Sequence, residues 1–284
     1  MTAPSNRRTF LKTVAAAGVA AALPAGRAEK AATGGFSIKA NFYASAAASV
    51  MVSGGSITLH GKFPPTVTAA HQLHFGARKR VLLILHATLP ADRDAMERRL
   101  QILFAADGYE SESLHHWEGQ DARRRIEEAA AIFVGGGETF LLLRTLLDTQ
   151  QLGVLRQRIL AGTPVHGTSA GANVSGPDIG CTNDFPVVDV PTRLALGIFP
   201  AIINPHHPRQ EEPERPGRAL KILTYLRMNP RESVLGLGNG AMARLHEKQV
   251  EILQGSAFFY QGTGYRELAP GRVPELTALV NAHA

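Results

Sequence analysis

Cysteine is almost missing. Cys181 is the sole one in 284 residues, so no intrachain disulfide is possible and stability must come from a packed core. Beyond the first thirty residues or so there is no apolar run long enough to cross a bilayer, which excludes a stable membrane anchor further along the chain. Excess charge is also lacking where it would matter. The formal net charge is +6, but Arg7, Arg8, Lys12 and Arg27 lie in a segment without acids; residues 29–284 carry 26 bases against 24 acids. That balance makes no electrostatic case for nucleic acid. Neither His-Glu-x-x-His nor Cys-x-x-Cys spacing occurs, so the sequence implies no metal and no organic cofactor. Internal repeats and coiled-coil heptads are absent as well.

What remains, 44% hydrophobic and 19% charged residues, describes an ordinary globular chain of one large domain or two small ones. The N-terminus is the exception. Ser5 to Lys12 forms a basic stretch with paired arginines followed by Phe10 and Leu11. Val14–Leu23 is a short Ala-rich apolar run, and Pro24–Ala28 supplies small residues suited to cleavage. Residues 1–28 therefore read as a twin-arginine signal peptide. The implied partner is the twin-arginine translocase, and the implied destination the periplasm or the exterior. Residues 29–48, small and Ala-rich, read as a tether, and residues 49–284 as a single domain.

Within that domain, aliphatic runs of strand length alternate with amphipathic stretches. Val50–Val52, Val81–Leu85, Ser111–His116, Ala131–Val134 and Ile202–Ile203 read as strands. The stretches 92–106, 120–130, 140–147, 152–160 and 219–226 read as helices. Runs apolar on both faces suit buried parallel strands, so the pattern predicts an α/β fold with a mainly parallel sheet between helix layers. Val234–Leu237, Met242–Leu245, Val250–Leu253 and Phe258–Gln261, punctuated by turn residues, predict small C-terminal antiparallel hairpins. His115 and His116 read as strand-end surface or packing residues.

Val165–Val174 carries the chemistry. Gly167, Ser169 and Gly171 form Gly-x-Ser-x-Gly, the pattern of a nucleophile elbow, with a strand before it and a helix after it. A serine on so sharp a turn needs small neighbours, and its hydroxyl would project beside a helix N-terminus whose free N–H groups stabilise an oxyanion. A nucleophilic serine needs a base. His206, after Ile202-Ile203-Asn204-Pro205, would stand at a strand's carboxyl end, where open α/β sheets collect their active sites. The triple glycine 135–137 also follows a strand and opens a helix. It admits three readings: a phosphate cradle, although without the usual spacing; a second source of oxyanion donors; or a loop kept for tight packing.

Four stretches in order, Phe133–Phe140, Gly167–Asn173, Thr182–Pro186 and Ile203–His206, resemble peptidase E, the α-aspartyl dipeptidase family. Cyanophycinase is a more distant relative that shares the glycine loop and the elbow. The resemblance covers roughly residues 80–270 and implies a class I glutamine-amidotransferase-like α/β/α sandwich. Together with the export signal, it implies an exported serine exopeptidase acting on short peptides such as Asp-Xaa, with Ser169 as nucleophile and His206 as base. The backbone N–H groups of Ala170 and of Gly136 or Gly137 become the oxyanion donors. Arg218, Thr168 and Asp184 fall at positions implied to bind substrate. Arg218 matches an arginine of a Gly-Glu-Thr-Arg stretch whose Glu-Thr part is missing here, and Thr168 stands where the family often has tryptophan.

The third catalytic position departs from the family. Leu235–Gly240 matches a stretch that ends Pro-Glu-Gly, and Asn239 replaces the glutamate. An amide can orient a histidine but cannot balance its charge. Three outcomes are open: Asn239 orients His206 at reduced activity, another carboxylate substitutes, or the protein is a non-catalytic binder. A cyanophycinase-like peptidase on another acidic peptide is the enzymatic rival. An α/β-hydrolase esterase fits less well, because there the acid precedes a late histidine. Nothing in the sequence indicates the oligomeric state.

Overall fold

The structure is a computed structural model and describes residues 42–282. The expected signal peptide and most of the expected tether lie outside the described residues. The last part of that tether rests on the domain: the Tyr43 N–H donates to the Gly197 carbonyl at 2.8 Å, and the Ser45 hydroxyl to the Leu160 carbonyl at 2.7 Å.

The chain runs from β1 (Val50–Ser53) through α1 (Pro65–Phe75), β2 (Arg80–Ile84) and α2 (Arg93–Ala106) to β3 (Glu110–Ser113). It continues through α3 (Gly119–Glu128), β4 (Ala131–Val134), the successive helices α4 (Thr139–Asp148) and α5 (Gln151–Leu160), β5 (Val165–Thr168) and α6 (Ala170–Ser175). Then come β6 (Ile202–Asn204), α7 (Arg215–Met228), β7 (Ser233–Leu237), β8 (Met242–His246) and β9 (Gln249–Gln254). β10 (Ala257–Gln261), β11 (Gly264–Leu268), β12 (Gly271–Arg272) and α8 (Pro274–Ala282) complete it.

The main sheet has the order β12-β9-β8-β1-β5-β4-β2-β3, and its five strands from β1 to β3 are mutually parallel. Period-two burial explains why those strands are apolar throughout. Val50, Val52, Leu82, Ile84, Ile132 and Val134 enter one core with α3, α4 and α5, while Met51, Val81, Leu83 and Phe133 enter a second with α1 and α2. Helices thus cover both faces of a mainly parallel sheet, as the aliphatic runs imply. A second sheet, β11-β10-β7-β6, packs its outer face against α7 through Ile202, Ile222, Val234 and Phe258.

The C-terminal hairpins β8–β9 and β10–β11 are present, and each extends a sheet: β8 pairs antiparallel with β1, and β10 with β7. Two local differences from the sequence reading have physical causes. The strand expected over 111–116 ends at Ser113, and Leu114–His116 turns as a short 3-10 segment. Helix α1 has no counterpart in the hydrophobic pattern, because its inward face includes the buried histidines His71 and His74.

Candidate active site

Strand register decides what meets at the carboxyl edge. Ser169 directly follows β5, whose Thr168 pairs with Ser53 of β1 and whose Gly167 pairs with Val134 of β4. The loop Gly135–Gly137 after β4 therefore lies alongside the serine. Asn204 pairs with Gly236 across β6 and β7, which brings His206 and Asn239 to the same edge.

Ser169 has φ 53° and ψ −113°, a left-handed conformation that non-glycine residues rarely adopt. The two flanking glycines allow it. A Cβ on Gly167 would lie 2.4 Å from the Gly171 carbonyl oxygen, and one on Gly171 would lie 2.1 Å from the Val134 carbonyl oxygen. The elbow is thus pressed against α6 on one side and β4 on the other, with no room for a side chain at either position.

The Ser169 hydroxyl donates to His206 Nε2 at 2.9 Å, and His206 Nδ1–H donates to the Asn239 amide oxygen at 2.6 Å. In that tautomer the imidazole is ready to take the serine proton. Three consecutive carbonyls, from the last residue of β1 onward, hold this chain of groups. Ser53 accepts from the Ser169 N–H at 3.0 Å, Gly54 from the His206 N–H at 2.8 Å, and Gly55 from the Gly240 N–H at 2.8 Å. The imidazole of His206 lies over Gly55, where a Cβ would stand 2.2 Å from its Cε1. The Ser53-Gly54-Gly55 cradle is the functional element that sequence reading missed. Its signal, two glycines closing a short apolar strand, is too common to be distinctive.

His206 and His207 adjoin in sequence but face different surroundings. His207 is buried between Pro208 and the Tyr260 hydroxyl, and burial, with help from Arg215, pulls its pKa down to about 4. Gly236 makes that burial possible, since a Cβ there would lie 2.4 Å from the His207 ring.

Gly136 abuts Ser169: its missing Cβ would be 3.0 Å from Ser169 Cβ and 3.5 Å from Oγ. The backbone N–H groups of Gly136, Gly137 and Ala170 donate to no acceptor among the described residues. The two glycines should respond differently to substitution. Gly136→Ala is expected to lower turnover by about 10²-fold through displacement of Ser169, with the melting temperature nearly unchanged. Gly137→Ala, at φ 135° and 2.3 Å from the Ala87 carbonyl oxygen, is expected to lower the melting temperature as well. Paired kinetics and thermal melts on the two variants check this.

A cavity of about 270 Å³ opens next to Ser169 and His206. It is lined mainly by apolar groups such as Ile57, Phe63, Leu100 and Phe133, with Thr168 and Gly136 in its wall and Arg99 as its one cation. Arg218 and Asp184 lie outside this lining. Arg218 Nη1 donates to the Asn204 side-chain oxygen at 3.0 Å, and burial lowers its pKa. Asp184 accepts from the Thr139 N–H at 2.9 Å and so satisfies the first turn of α4. Between them, Asn183 donates to the Pro205 carbonyl at 2.7 Å and accepts from Asn204 at 3.0 Å. The 182–184 segment thus braces the strand end that carries His206.

Residues 50–253 match peptidase family S51. The chain belongs to that family. It is 38% identical over 149 residues to a peptidase E of Shewanella amazonensis, an alignment covering 51% of this chain and 63% of that protein. It is 36% identical over 191 residues to a peptidase E of Streptomyces coelicolor, covering 64% and 75% respectively. The chain therefore spans just under two thirds of the first relative and three quarters of the second. The fold is similar to that of a peptidase from an acI-B1 Actinobacterium, with TM-score 0.57 at 16% identity over 78% of this chain and 94% of that one. Residues 4–24 match the twin-arginine translocation signal. This S51 family member is thus exported by the twin-arginine route to the periplasm or beyond, and no helix among its described residues is long and apolar enough to cross a membrane.

Behind the S51 elbow lies a buried polar network with no counterpart in the sequence reading. The Ser53 hydroxyl meets His166 Nε2 at 2.9 Å, and His166 Nδ1 faces His71 Nε2 at 3.1 Å. His74 Nε2 donates to the Val165 carbonyl at 2.9 Å. Burial pushes the pKa of His166 well below its ordinary value and that of His74 down to about 3, so both are neutral. Three buried imidazoles from α1 and β5 thereby support the two strands whose ends carry Ser169 and its cradle.

Proposed function

We propose that this protein is an exported serine exopeptidase that hydrolyses short peptides through an acyl-enzyme on Ser169. The carrying observation is the unbroken sequence of hydrogen bonds from Ser169 through His206 to Asn239, at 2.9 and 2.6 Å. Ser169 Oγ attacks the scissile carbonyl while His206 Nε2 takes its proton. The Ala170 N–H and that of Gly136 or Gly137 receive the oxyanion. His206 then returns the proton to the leaving amine, and a water activated by the same nitrogen deacylates the serine. Asn239 keeps the Nδ1–H tautomer throughout. Residues 49–284 act as one catalytic domain.

The cavity supports the size of substrate. At about 270 Å³ it lies just below the range of about 300–1,000 Å³ usual for small-ligand sites, and it suits one or two side chains. An acidic substrate group calls for a cation near Ser169. Arg218 already donates to Asn204, whereas Arg99 in the cavity wall has no acidic partner among the described residues; Arg99 is favoured to receive an incoming carboxylate. Thr168 shapes the cavity wall. Asp184 acts through the 182–184 brace. Asp-Xaa dipeptides are the first substrates to examine.

A fluorophosphonate probe tests the reading. The wild type is expected to label, and Ser169→Ala is expected not to. A folded wild type that stays unlabelled would remove the nucleophile from the proposal. Labelling without cleavage of Asp-Leu would keep the serine peptidase and discard the aspartyl preference.

A further inference from the structure

Away from the catalytic groups, α2 and the turn after β3 bring together two imidazoles and two carboxylates. Asp94 and Glu97 are one helical turn apart on α2 and share a face. His115 and His116 stand side by side on the 3-10 turn, their ring centroids 4.1 Å apart. One ligand atom from each of the four lies within 4.8 Å of all the others. We propose that Asp94, Glu97, His115 and His116 form a binding site for a divalent cation of the zinc class.

The imidazoles and carboxylates pair directly where the ion would sit. His115 Nε2 lies 2.8 Å from Asp94 Oδ1, and His116 Nε2 lies 2.5 Å from Glu97 Oε2. A tetrahedral zinc with ligand bonds of about 2.0–2.1 Å separates its ligand atoms by about 3.3 Å. Two of the pairs are already closer than that spacing, and all four ligand atoms lie within 4.8 Å of one another. Asp94 and His116 are substantially exposed and free to make the small rotations required.

The surrounding groups orient these ligands as metal sites require. The Ser113 hydroxyl, 2.6 Å from His115 Nδ1, directs Nε2 into the cluster. The Ser113 N–H donates to Glu97 Oε1 at 2.8 Å, with Gln101 as a second donor at 3.3 Å, so Oε2 is the oxygen that faces the histidines. Glu97 is 6% exposed, and no lysine or arginine lies within ion-pair distance of it or of Asp94 among the described residues. A buried carboxylate needs a compensating cation. Among the described residues the His116 imidazole is the group within ion-pair distance of Glu97, and a bound ion would supply positive charge directly. Two nitrogens with two oxygens match zinc, whereas magnesium prefers oxygen ligands in an octahedron.

The site is separate from the catalytic groups, yet it shares α2 with the cavity wall: Met96, Arg99 and Leu100 line the cavity next to Ser169. An ion held by Asp94 and Glu97 would tie that helix to the end of β3.

Titration of the untagged exported protein with Zn²⁺ by calorimetry, and with Co²⁺ by visible absorption, tests the site. The expected result is one ion per chain, and for Co²⁺ the strong ligand-field absorption of four-coordinate geometry. Affinity is expected to fall by about 10–100-fold or more in Asp94→Asn and in the His115→Ala/His116→Ala double variant. Asp94 is an exposed position, so its variant folds even if the double variant does not. His206→Ala is expected to bind as the wild type does. No saturable binding, unchanged binding in Asp94→Asn and the double variant, or binding lost in His206→Ala would each overturn the proposal.

Discussion

His206→Ala is expected to lower turnover on a short peptide by about 10⁴- to 10⁶-fold, because a serine and its base act as one unit. His206 Nε2 is the acceptor 2.9 Å from the Ser169 hydroxyl, and among the described residues no other side chain bonds to that hydroxyl. Asn239→Asp is expected to act in the opposite direction. An amide in place of an acid costs about 10⁴-fold where it imposes the wrong tautomer. In this protein the Asn239 amide oxygen faces His206 Nδ1 at 2.6 Å, so the tautomer is already correct. What the amide cannot supply is negative charge opposite the imidazolium that would form in the proposed attack by Ser169. Restoring it is expected to raise kcat by about 10- to 100-fold, which corresponds to about 1.4–2.7 kcal/mol of barrier. The gain should vanish when Asn239→Asp is combined with His206→Ala, since the carboxylate acts only through the ring. Steady-state kinetics on the four proteins of that cycle decide the matter. A kcat unchanged by Asn239→Asp would mean that the third member contributes orientation alone.

Acidification is expected to destabilise the fold steeply. His74, His86, His166 and His207 are buried and neutral, and desolvation is the largest cause of each lowered pKa. Their folded-state values lie below the ordinary 6.5, so the unfolded chain takes up protons first. Stability is therefore complete above the ordinary histidine value. It falls as pH drops below that value, through about 4 for His86 and His207 and about 3 for His74. Each histidine contributes up to about 1.4 kcal/mol per pH unit within its window. Asp178 and Glu232, whose carboxyls are shifted upward by burial, offset part of this at lower pH, two groups against four. Urea unfolding at about pH 7.5 and about pH 5 should show a loss of several kcal/mol. His86→Gln should flatten that slope, and a midpoint indifferent to pH would show that these imidazoles are not held neutral.

Much of the fold was legible because buried parallel strands have a composition of their own. Val81–Leu85 and Ala131–Val134 must be apolar on both faces, and helices such as α2 show their apolar positions at helical spacing. Elements whose inner face is polar escaped that logic. Helix α1 buries His71 and His74, so its periodicity does not register as hydrophobic. The hairpins were legible as hairpins, but a strand's own sequence does not say which edge it joins; β8 lies against β1 because that edge is open.

The candidate site divides in the same way. Ser169 and His206 stood out as candidates through local context, glycines at a sharp turn and a strand ending in Asn-Pro, whereas Asn239 stood out only through the resemblance to peptidase E. The cluster of Asp94, Glu97, His115 and His116 left no such trace, because its spacing is set by a helix packing on a turn rather than by neighbours in sequence.

By itself, then, the sequence determined which residues could be nucleophile and base, that the strands are buried, and that the chain is exported. Only the tertiary structure decided that Ser169, His206 and the loop of Asn239 hang from three successive carbonyls, Ser53, Gly54 and Gly55. Chemistry is written into residue type and local turn. Backbone hydrogen bonds between distant strands carry no side-chain signature, and so they appear only when the sheet is assembled.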